Sequence, residues 1–277
     1  IMSGTEMYDL VATPPNYDSV PYPFDGLNEM TRGMRTGELI TVVAGTGVGK
    51  TQVMREVLYS LIQENKGNVG TLFLEEPTRD TGLGVMSIHA DKKLHVPEVV
   101  YSKDEFDSAY EATLGTGRVF LYDSFGSNTV DRIISMVRYL ARSCECKFII
   151  LDHISIVVSD HAKDERKALD EIVTKLKTLT IELDICLLMV SHLSRDKSRK
   201  PPEEGGTINL QDIRGSAGIA QLSNIILALE RNTQAEDEIE RNTTKVRVIK
   251  NRFTGETGVA DSLLYSKHTG RLQSYGG

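Results

Sequence analysis

Short apolar runs recur along the chain from residue 39 onward, and glycine-rich or charged segments separate them. Their length of about four to eight residues and their content of Val, Ile and Leu are typical of buried strands. We predict strands at 39–43, 69–74, 119–122, 148–151, 185–190, 225–229, 245–249 and 258–265. The last two runs follow each other closely across residues 251–257, which predicts an antiparallel hairpin at the end of the sheet.

Longer segments between the earlier runs carry apolar residues at every third or fourth position, which is the period of a helix with one buried face. Residues 50–63, 130–140 and 169–179 show this pattern. Strands that alternate with helices need crossover connections, so the pattern predicts an α/β fold with a mostly parallel sheet flanked by helices. A sheet of this kind binds its ligand at the carboxyl ends of its strands.

Composition is that of a globular protein and favours a cytoplasmic location without a membrane partner. Hydrophobic residues make up 40% and charged residues 26% of the sequence, and no apolar run is long enough to cross a bilayer. Half of the eight prolines fall within residues 1–23, so we expect 1–23 to be an irregular lead-in and 24–277 to be one domain. The three cysteines are an odd count without a secretory signal, which argues against a disulfide framework.

A glycine-rich segment joins the first predicted strand to the first predicted helix. It has the pattern of a phosphate-binding loop, except that Ala44 stands in the place of the first glycine. The glycines let backbone N–H groups turn towards phosphates, Lys50 supplies a positive charge, and Thr51 offers its hydroxyl to Mg²⁺. The segment predicts a nucleotide site formed by Gly45, Thr46, Gly47, Val48, Gly49, Lys50 and Thr51.

Acidic and imidazole side chains stand at the ends of three further predicted strands. Asp152 ends one apolar run, where a carboxylate can approach the Mg²⁺ beside the phosphates. Glu75 and Glu76 end another, and hydrolysis needs a group that orients and deprotonates the attacking water. We favour Glu75 because it lies nearer the strand, with Glu76 as the alternative. His192 ends a third run and is in a position to contact the γ-phosphate.

A polar loop follows His192 and is basic in its first half. The net charge of −7 excludes a surface that is basic throughout, but a local basic loop is enough to bind nucleic acid. A loop that starts at a γ-phosphate contact and binds phosphodiesters would couple hydrolysis to movement, whereas the alternative is a solvated surface loop. The basic residues of the loop are Arg195, Lys197, Arg199 and Lys200.

Taken together, these motifs resemble the superfamily-4 hexameric helicases, the group of DnaB and Twinkle, and most closely the helicase domain of bacteriophage bifunctional primase–helicases. The strings Asp212-Ile-Arg-Gly-Ser216 and Asn251-Arg-Phe-Thr-Gly255 are more specific than the phosphate-binding loop. The resemblance implies a RecA-like P-loop NTPase core that hydrolyses ATP or dTTP with Mg²⁺. The segments that carry it are 45–51, 74–76, 149–159, 164–167, 212–216, 221–223, 228–231 and 250–258.

The resemblance also implies roles for individual residues. Glu75 is implied as the catalytic base, Asp152 as the Mg²⁺-associated acid and His192 as the sensor of the γ-phosphate. Arg252 matches an arginine finger that enters the site of the neighbouring subunit, and Lys250 lies beside it.

Further positions match residues that contact DNA or the base of the nucleotide. The basic loop and the segment Arg214, Gly215 and Ser216 match the DNA-contacting loops of a central channel, and Arg231 and Tyr265 match the base contacts. The implied partners are single-stranded DNA and further copies of the chain in a ring, a hexamer or heptamer. A primase domain or protein and a replicative DNA polymerase are the other partners implied.

Two other classes of protein share part of this pattern. A RecA-type recombinase would have the phosphate-binding loop, the base and the parallel sheet, but not the segments 212–216 and 250–252. A nucleotide-gated DNA-binding or loader module would bind DNA without unwinding it, and the complete set of catalytic residues speaks against this class. Strand separation on a forked duplex distinguishes a helicase from a loader.

Overall fold

The computed structural model describes residues 3–12, 18–123, 129–155, 165–193, 201–213 and 216–275. No helix in these ranges is long and apolar enough to span a membrane. The described strands are β1 (Ser19–Val20), β2 (Met34–Arg35), β3 (Leu39–Ala44), β4 (Asn68–Phe73), β5 (Val119–Leu121), β6 (Cys146–Asp152), β7 (Cys186–His192), β8 (Ile225–Glu230), β9 (Thr243–Asn251), β10 (Gly258–Tyr265) and β11 (Leu272–Ser274). The described helices are α1 (Tyr8–Ala12), α2 (Asp25–Thr31), α3 (Lys50–Glu64), α4 (Thr78–Ala90), α5 (Lys103–Ala112), α6 (Val130–Arg142), α7 (Glu165–Glu182), α8 (Ser216–Leu222) and α9 (Glu238–Asn242).

Among the described residues, nine strands form the main sheet in the order β11-β10-β9-β8-β3-β7-β6-β4-β5. The strands from β8 to β5 are parallel, whereas β9, β10 and β11 continue the sheet with antiparallel pairing. The predicted α/β class, the mostly parallel sheet and the antiparallel hairpin near the end of the chain are confirmed. The apolar pattern does not predict β11 or the small β1-β2 ribbon, because each of these short strands contains only one apolar residue and so forms no apolar run.

The central strand β3 is buried along its whole length and shows how the core forms on both faces of the sheet. Successive side chains of a strand point to opposite faces. Ile40 and Val42 therefore join the cluster that contains the apolar stripe of α3, and Leu39 and Val43 join the cluster that contains those of α6 and α7. Burying one such aliphatic side chain stabilises the fold by about 1.5–3 kcal/mol, which is why an uninterrupted apolar run predicts a central strand.

The carboxyl ends of β3, β4, β6 and β7 meet at one edge of the sheet. Ala44 at the end of β3 pairs with His192 at the end of β7, and Phe73 at the end of β4 pairs with Asp152 at the end of β6. Parallel neighbours that end in register bring the residues that follow them together. This edge therefore collects the glycine-rich turn and the polar residues that the sequence placed at separate strand ends.

The packed domain begins before residue 24. Val20 and Tyr22 are buried in the core, and β1 pairs with β2. Residues 4–12 form a short 3₁₀ turn and the helix α1. The segment predicted to be an irregular lead-in is therefore partly built into the domain, because alternate apolar side chains beside its prolines reach the core.

Candidate functional site

The glycine-rich turn leaves β3 and enters α3, as the sequence predicts. Gly47 and Gly49 have φ values of 76° and 102°, in the left-handed region that favours glycine. Lys50 opens α3, its side chain folds back over the turn, and its Nζ donates to the carbonyl oxygen of Gly45 at 3.0 Å. The backbone therefore curls around a small concavity at the amino end of a helix, where phosphate groups are favoured.

Lys50 is only 8% exposed, although it carries a positive charge. Burial lowers the pKa of Lys50, and the carboxylates of Asp152, Glu75 and Glu203 partly offset this effect. A buried cation is costly unless anions surround it. The bound phosphates of a nucleotide would supply more negative charge at this point, so the environment of Lys50 fits an anionic ligand.

Thr51 and Asp152 form a pair that fits Mg²⁺. The hydroxyl of Thr51 donates to Oδ2 of Asp152 at 3.1 Å, and Asp152 is 3% exposed. Its second oxygen, Oδ1, is buried and has no hydrogen-bond partner among the described residues. Burial raises the pKa of Asp152 above its ordinary value, chiefly by penalising the charged form. A hard divalent cation, directly or through its water, would satisfy the orphaned oxygen and favour the carboxylate.

The structure separates the two acids that the sequence left as alternatives. Glu76 is tied to the protein on both sides, since its carboxylate accepts from Arg55 Nη2 at 2.6 Å and from Thr81 Oγ1 at 2.7 Å. The side chain of Glu75 is 54% exposed, and its Oε1 lies 2.8 Å from His153 Nε2. Of the two acids, Glu75 therefore has the more exposed carboxylate, and its charge also acts on Lys50 in the phosphate-binding turn, which supports it as the base.

His153 is a site residue that sequence reasoning missed. It is buried directly after Asp152, and its ring lies edge-on to that of His192 with 4.0 Å between the centroids. The ligand atoms of Glu75, His153 and His192 lie within 4.8 Å of one another, a set of donors that could also hold a transition-metal ion. The sequence offered one signal for His153, its position directly after Asp152. A histidine after a strand is too common to predict a functional role by itself.

Glu203 is a second residue that sequence reasoning missed. Its carboxylate lies against the start of the phosphate-binding turn, where a Cβ added to Gly45 would come within 3.0 Å of its Oε2. The turn that carries it is fixed to the end of β8, because the carbonyl oxygen of Glu203 accepts from the backbone N–H and the hydroxyl of Thr233, both at 2.8 Å. A negative charge is therefore held beside the position that phosphates would occupy.

The Glu203→Gln variant is expected to bind nucleotide more tightly, by roughly fivefold, because it removes about 1 kcal/mol of repulsion from a partly exposed site. Titration of a fluorescent nucleotide analogue against the two proteins measures the difference. Glu204→Gln is the matched control, since Glu204 is exposed and adjacent in sequence. Equal affinities of Glu203→Gln and wild type would mean that the carboxylate does not oppose the phosphates.

Arg231 and Tyr265, implied as base contacts, line different clefts. Arg231 follows β8, donates to the carbonyl oxygen of Arg241 at 2.7 Å, and lines a cleft of about 490 Å³. Tyr265 ends β10 and lines a smaller cleft of about 120 Å³ beside α3, where Lys93 Nζ lies 5.4 Å from its ring centroid. Their predicted roles stay predictions.

Lys250 and Arg252 cap the carboxyl end of α8 within the same chain. Lys250 Nζ donates to the carbonyl oxygens of Ala220 at 2.5 Å and Ser223 at 2.7 Å, and Arg252 Nη2 donates to that of Gln221. Burial, together with the charges of Arg252 and Lys177, lowers the pKa of Lys250 to about 8. Cations at the carboxyl end of a helix stabilise its unpaired carbonyl groups.

Arg252 and the phosphate-binding turn lie at opposite edges of the sheet. β9 is antiparallel to β8, and Asn251 at its end pairs with Ile225 at the start of β8. The phosphate-binding turn follows Ala44, which pairs with Leu229 near the opposite end of β8. The strand between Ile225 and Leu229 spans about 13 Å at about 3.3 Å per residue. Arg252 therefore does not reach the phosphate-binding turn of its own chain.

The residues predicted to contact DNA lie almost entirely outside the described residues. Of Ser216, only its place as the first residue of α8 is described. The backbone N–H of Gly218 in the first turn of α8 donates to Asp170 Oδ1 on α7 at 3.1 Å. α8 is thus held by Asp170 near its start and by Lys250 and Arg252 at its end. The helix therefore lies between the predicted DNA-contacting segment and these two cations. The predicted DNA-contacting residues that lie outside the described residues are Arg195, Lys197, Arg199, Lys200, Arg214 and Gly215.

Comparisons with known proteins give a consistent result. The family model described as DnaB-like helicase C-terminal domain matches residues 19–274. The DNA helicase/primase of Enterobacteria phage T3 is 37% identical over 264 residues, which cover 92% of this chain and 46% of the phage protein. The chain thus spans about half the length of the curated relatives that it matches.

Solved structures support the same fold. One solved ATPase domain superposes with a TM-score of 0.80 at 21% identity, covering 98% of this chain and 96% of that domain. A DnaB-like replicative helicase, solved to describe its interactions with primase, has a TM-score of 0.80 at 21% identity, and the match covers 100% of this chain and 68% of that one. The predicted RecA-like architecture is confirmed.

Proposed function

This chain belongs to the family of DnaB-like helicase C-terminal domains, and we propose that it is the motor of a ring helicase that moves along single-stranded DNA and separates duplex DNA during replication. The observation that carries the proposal is the edge of the sheet where Lys50, Thr51, Asp152 and Glu75 meet. These groups lie at the carboxyl ends of three strands, β3, β4 and β6, and complete a site for hydrolysis of a nucleoside triphosphate.

Each group at this edge has a distinct task in the proposed reaction. The glycine-rich turn and Lys50 bind the β- and γ-phosphates, and Thr51 with Asp152 holds Mg²⁺. When bound, Mg²⁺ neutralises the charge of the phosphate oxygens. Glu75 orients the attacking water and accepts its proton, and His192 contacts the γ-phosphate at the start of the basic loop.

The position of Arg252 supports a ring of identical subunits. A guanidinium at the edge opposite the phosphate-binding turn can serve a nucleotide only if that nucleotide is bound by another copy of the chain. In a closed ring every subunit can supply Arg252 to one neighbour and receive it from the other. Single-stranded DNA would pass through the centre, along the basic loop and the segment 214–216. A hexamer or heptamer, a primase and a replicative polymerase in the cytoplasm complete the proposed assembly.

The first experiment measures hydrolysis with and without single-stranded DNA, using ATP and dTTP in parallel. We expect hydrolysis that DNA stimulates, with one of the two nucleotides preferred. A forked duplex with a labelled strand then separates the candidate functions. Nucleotide-dependent release of the strand supports the helicase. DNA binding with hydrolysis but without strand release favours a loader or a RecA-type recombinase.

The salt dependence of DNA binding tests the basic loop. Neutralising Lys197 and Lys200 together should flatten the slope of log K against log salt by about one to two, because each phosphate contact to a single strand contributes about 0.7. Fluorescence anisotropy of labelled single-stranded DNA at several salt concentrations measures the slope. A variant with exposed Lys103 and Lys147 neutralised on α5 and β6 is the control. An unchanged slope in the loop variant would assign the loop to solvated surface.

A further inference from the structure

The backbone at His153 is fixed from both sides. The backbone N–H of Leu74, just past β4, donates to the carbonyl oxygen of Asp152 at 2.6 Å, and that of Ile154 donates to Val190 on β7 at 3.0 Å. His153 lies between these two anchors and is itself buried. Its imidazole therefore has little freedom to move and forms a rigid part of the site.

The imidazole of His153 restrains the side chain of Glu75. The side chain of Glu75 is 54% exposed, whereas that of His153 is 5% exposed, and 2.8 Å separate Oε1 of the acid from Nε2 of the ring. A half-exposed glutamate would otherwise sample several rotamers. His153 Nδ1 is buried without a partner among the described residues, so the Nε2–H tautomer is the neutral form whose N–H meets an acceptor. One carboxylate oxygen is thus held, and the other is available to water.

The same imidazole packs against His192. The two rings are nearly perpendicular, at 88°, with 4.0 Å between their centroids. His192 ends β7 next to Ala44, where the phosphate-binding turn begins. Contact of His192 with a γ-phosphate would therefore change the packing on one face of the His153 ring, the same ring that holds Glu75 through its hydrogen bond.

We propose that His153 is a positioning residue, which holds the Glu75 carboxylate towards the attacking water and links its position to that of His192. The inference rests on the proposed function, because it assigns how the base of that reaction is oriented. Misplacing a reacting group by about 1 Å costs on the order of 100-fold in rate, so a group that fixes the base affects turnover more than binding.

Two substitutions separate positioning from packing. His153→Phe keeps a planar ring but has no N–H, and His153→Gln keeps an N–H donor at a similar reach. We expect the Phe variant to lose kcat on the order of 100-fold with KM and nucleotide affinity within about twofold of wild type. The kcat of the Gln variant should be at least about tenfold higher than that of the Phe variant, because its N–H can still hold Glu75. In the Glu75→Gln background, His153→Phe should lower the residual rate no further, because the group it positions is absent.

Histidine NMR tests the contact without hydrolysis and without altering His153. In protein with ¹⁵N-labelled histidine, Glu75→Gln should shift the His153 Nε2 resonance, whereas Glu76→Gln should leave it in place. If wild type hydrolyses no nucleotide, the proposed function fails while this contact can still be observed. An unmoved His153 resonance in Glu75→Gln, wild-type kcat in His153→Phe, or equal losses in the Phe and Gln variants would each overturn the positioning role.

Discussion

Glu75→Gln is expected to lower turnover by about 10²–10⁴-fold while leaving nucleotide affinity within a few fold of wild type. The amide keeps the size of the side chain and can still contact His153, but it cannot accept a proton from water. Lys50→Ala should bring hydrolysis near background for a different reason, since it removes the buried cation that faces the phosphates. The two variants therefore differ in binding, which Lys50→Ala weakens and Glu75→Gln preserves.

Steady-state hydrolysis and equilibrium binding of a fluorescent nucleotide measure these effects. Glu76→Gln is the matched control, because Glu76 is the adjacent acid and is held by Arg55 and Thr81. Glu76→Gln should lower the free energy of unfolding by about 1–3 kcal/mol, because the partly buried guanidinium of Arg55 loses its charged partner. It should change turnover little. Normal turnover in Glu75→Gln together with loss of turnover in Glu76→Gln would transfer the role of base to Glu76.

Arg252→Ala is expected to reduce turnover by about 10³–10⁵-fold with only a modest effect on nucleotide binding. A guanidinium matches phosphate oxygens in pairs and stabilises the charge that spreads over the γ-phosphoryl group in the transition state. Within its own chain the side chain of Arg252 donates to the carbonyl oxygen of Gln221 at the end of α8, and its backbone N–H donates to the carbonyl oxygen of Asn224. Hydrolysis assays with matched DNA and nucleotide concentrations measure the loss.

Arg252→Lys separates a finger from a helix cap. Lysine keeps the positive charge that stabilises the carbonyl groups of α8 but lacks the paired donors of the guanidinium. We expect Arg252→Lys to be nearly as inactive as Arg252→Ala, although its thermal stability should match wild type. Glu256→Ala, in the same hairpin turn, is the control for general disturbance of the hairpin. Near-normal turnover in Arg252→Lys would identify Arg252 as a helix cap.

Action on the neighbouring subunit has its own test. A covalent two-subunit fusion can carry Lys50→Ala in one half and Arg252→Ala in the other. Either change in both halves should abolish hydrolysis, whereas the mixed fusion retains interfaces that pair an intact turn with an intact Arg252, and basal hydrolysis should partly return. A mixed fusion that assembles and binds nucleotide but stays inactive would contradict action in trans.

The sequence by itself determined eight strands of the main sheet, three of the helices and the class of chemistry, because these rest on local patterns. Buried strands such as β3 are continuous apolar runs, and α3 follows a glycine-rich turn whose residue types suit a phosphate. The alternation of strands and helices predicted a parallel sheet, and the order in which the strands end predicted that Lys50, Asp152 and His192 would lie at one edge. The strands β1, β2 and β11 each contain a single apolar residue and no apolar run, so they stayed outside the prediction.

The tertiary structure alone decided which of the two acids is exposed, what holds each of them, and at which end of the strands Arg252 lies. Glu75 and Glu76 differ by one position, and contacts made by Arg55 and His153, distant in sequence, give them opposite surroundings. Glu203 lies against the phosphate-binding turn, and hydrogen bonds from Thr233, 30 residues further along the chain, fix its loop there. Arg252 lies at the far edge of the sheet because β9 is antiparallel to β8. Side-chain direction and strand pairing depend on neighbours that are remote along the chain, and residue order does not specify them.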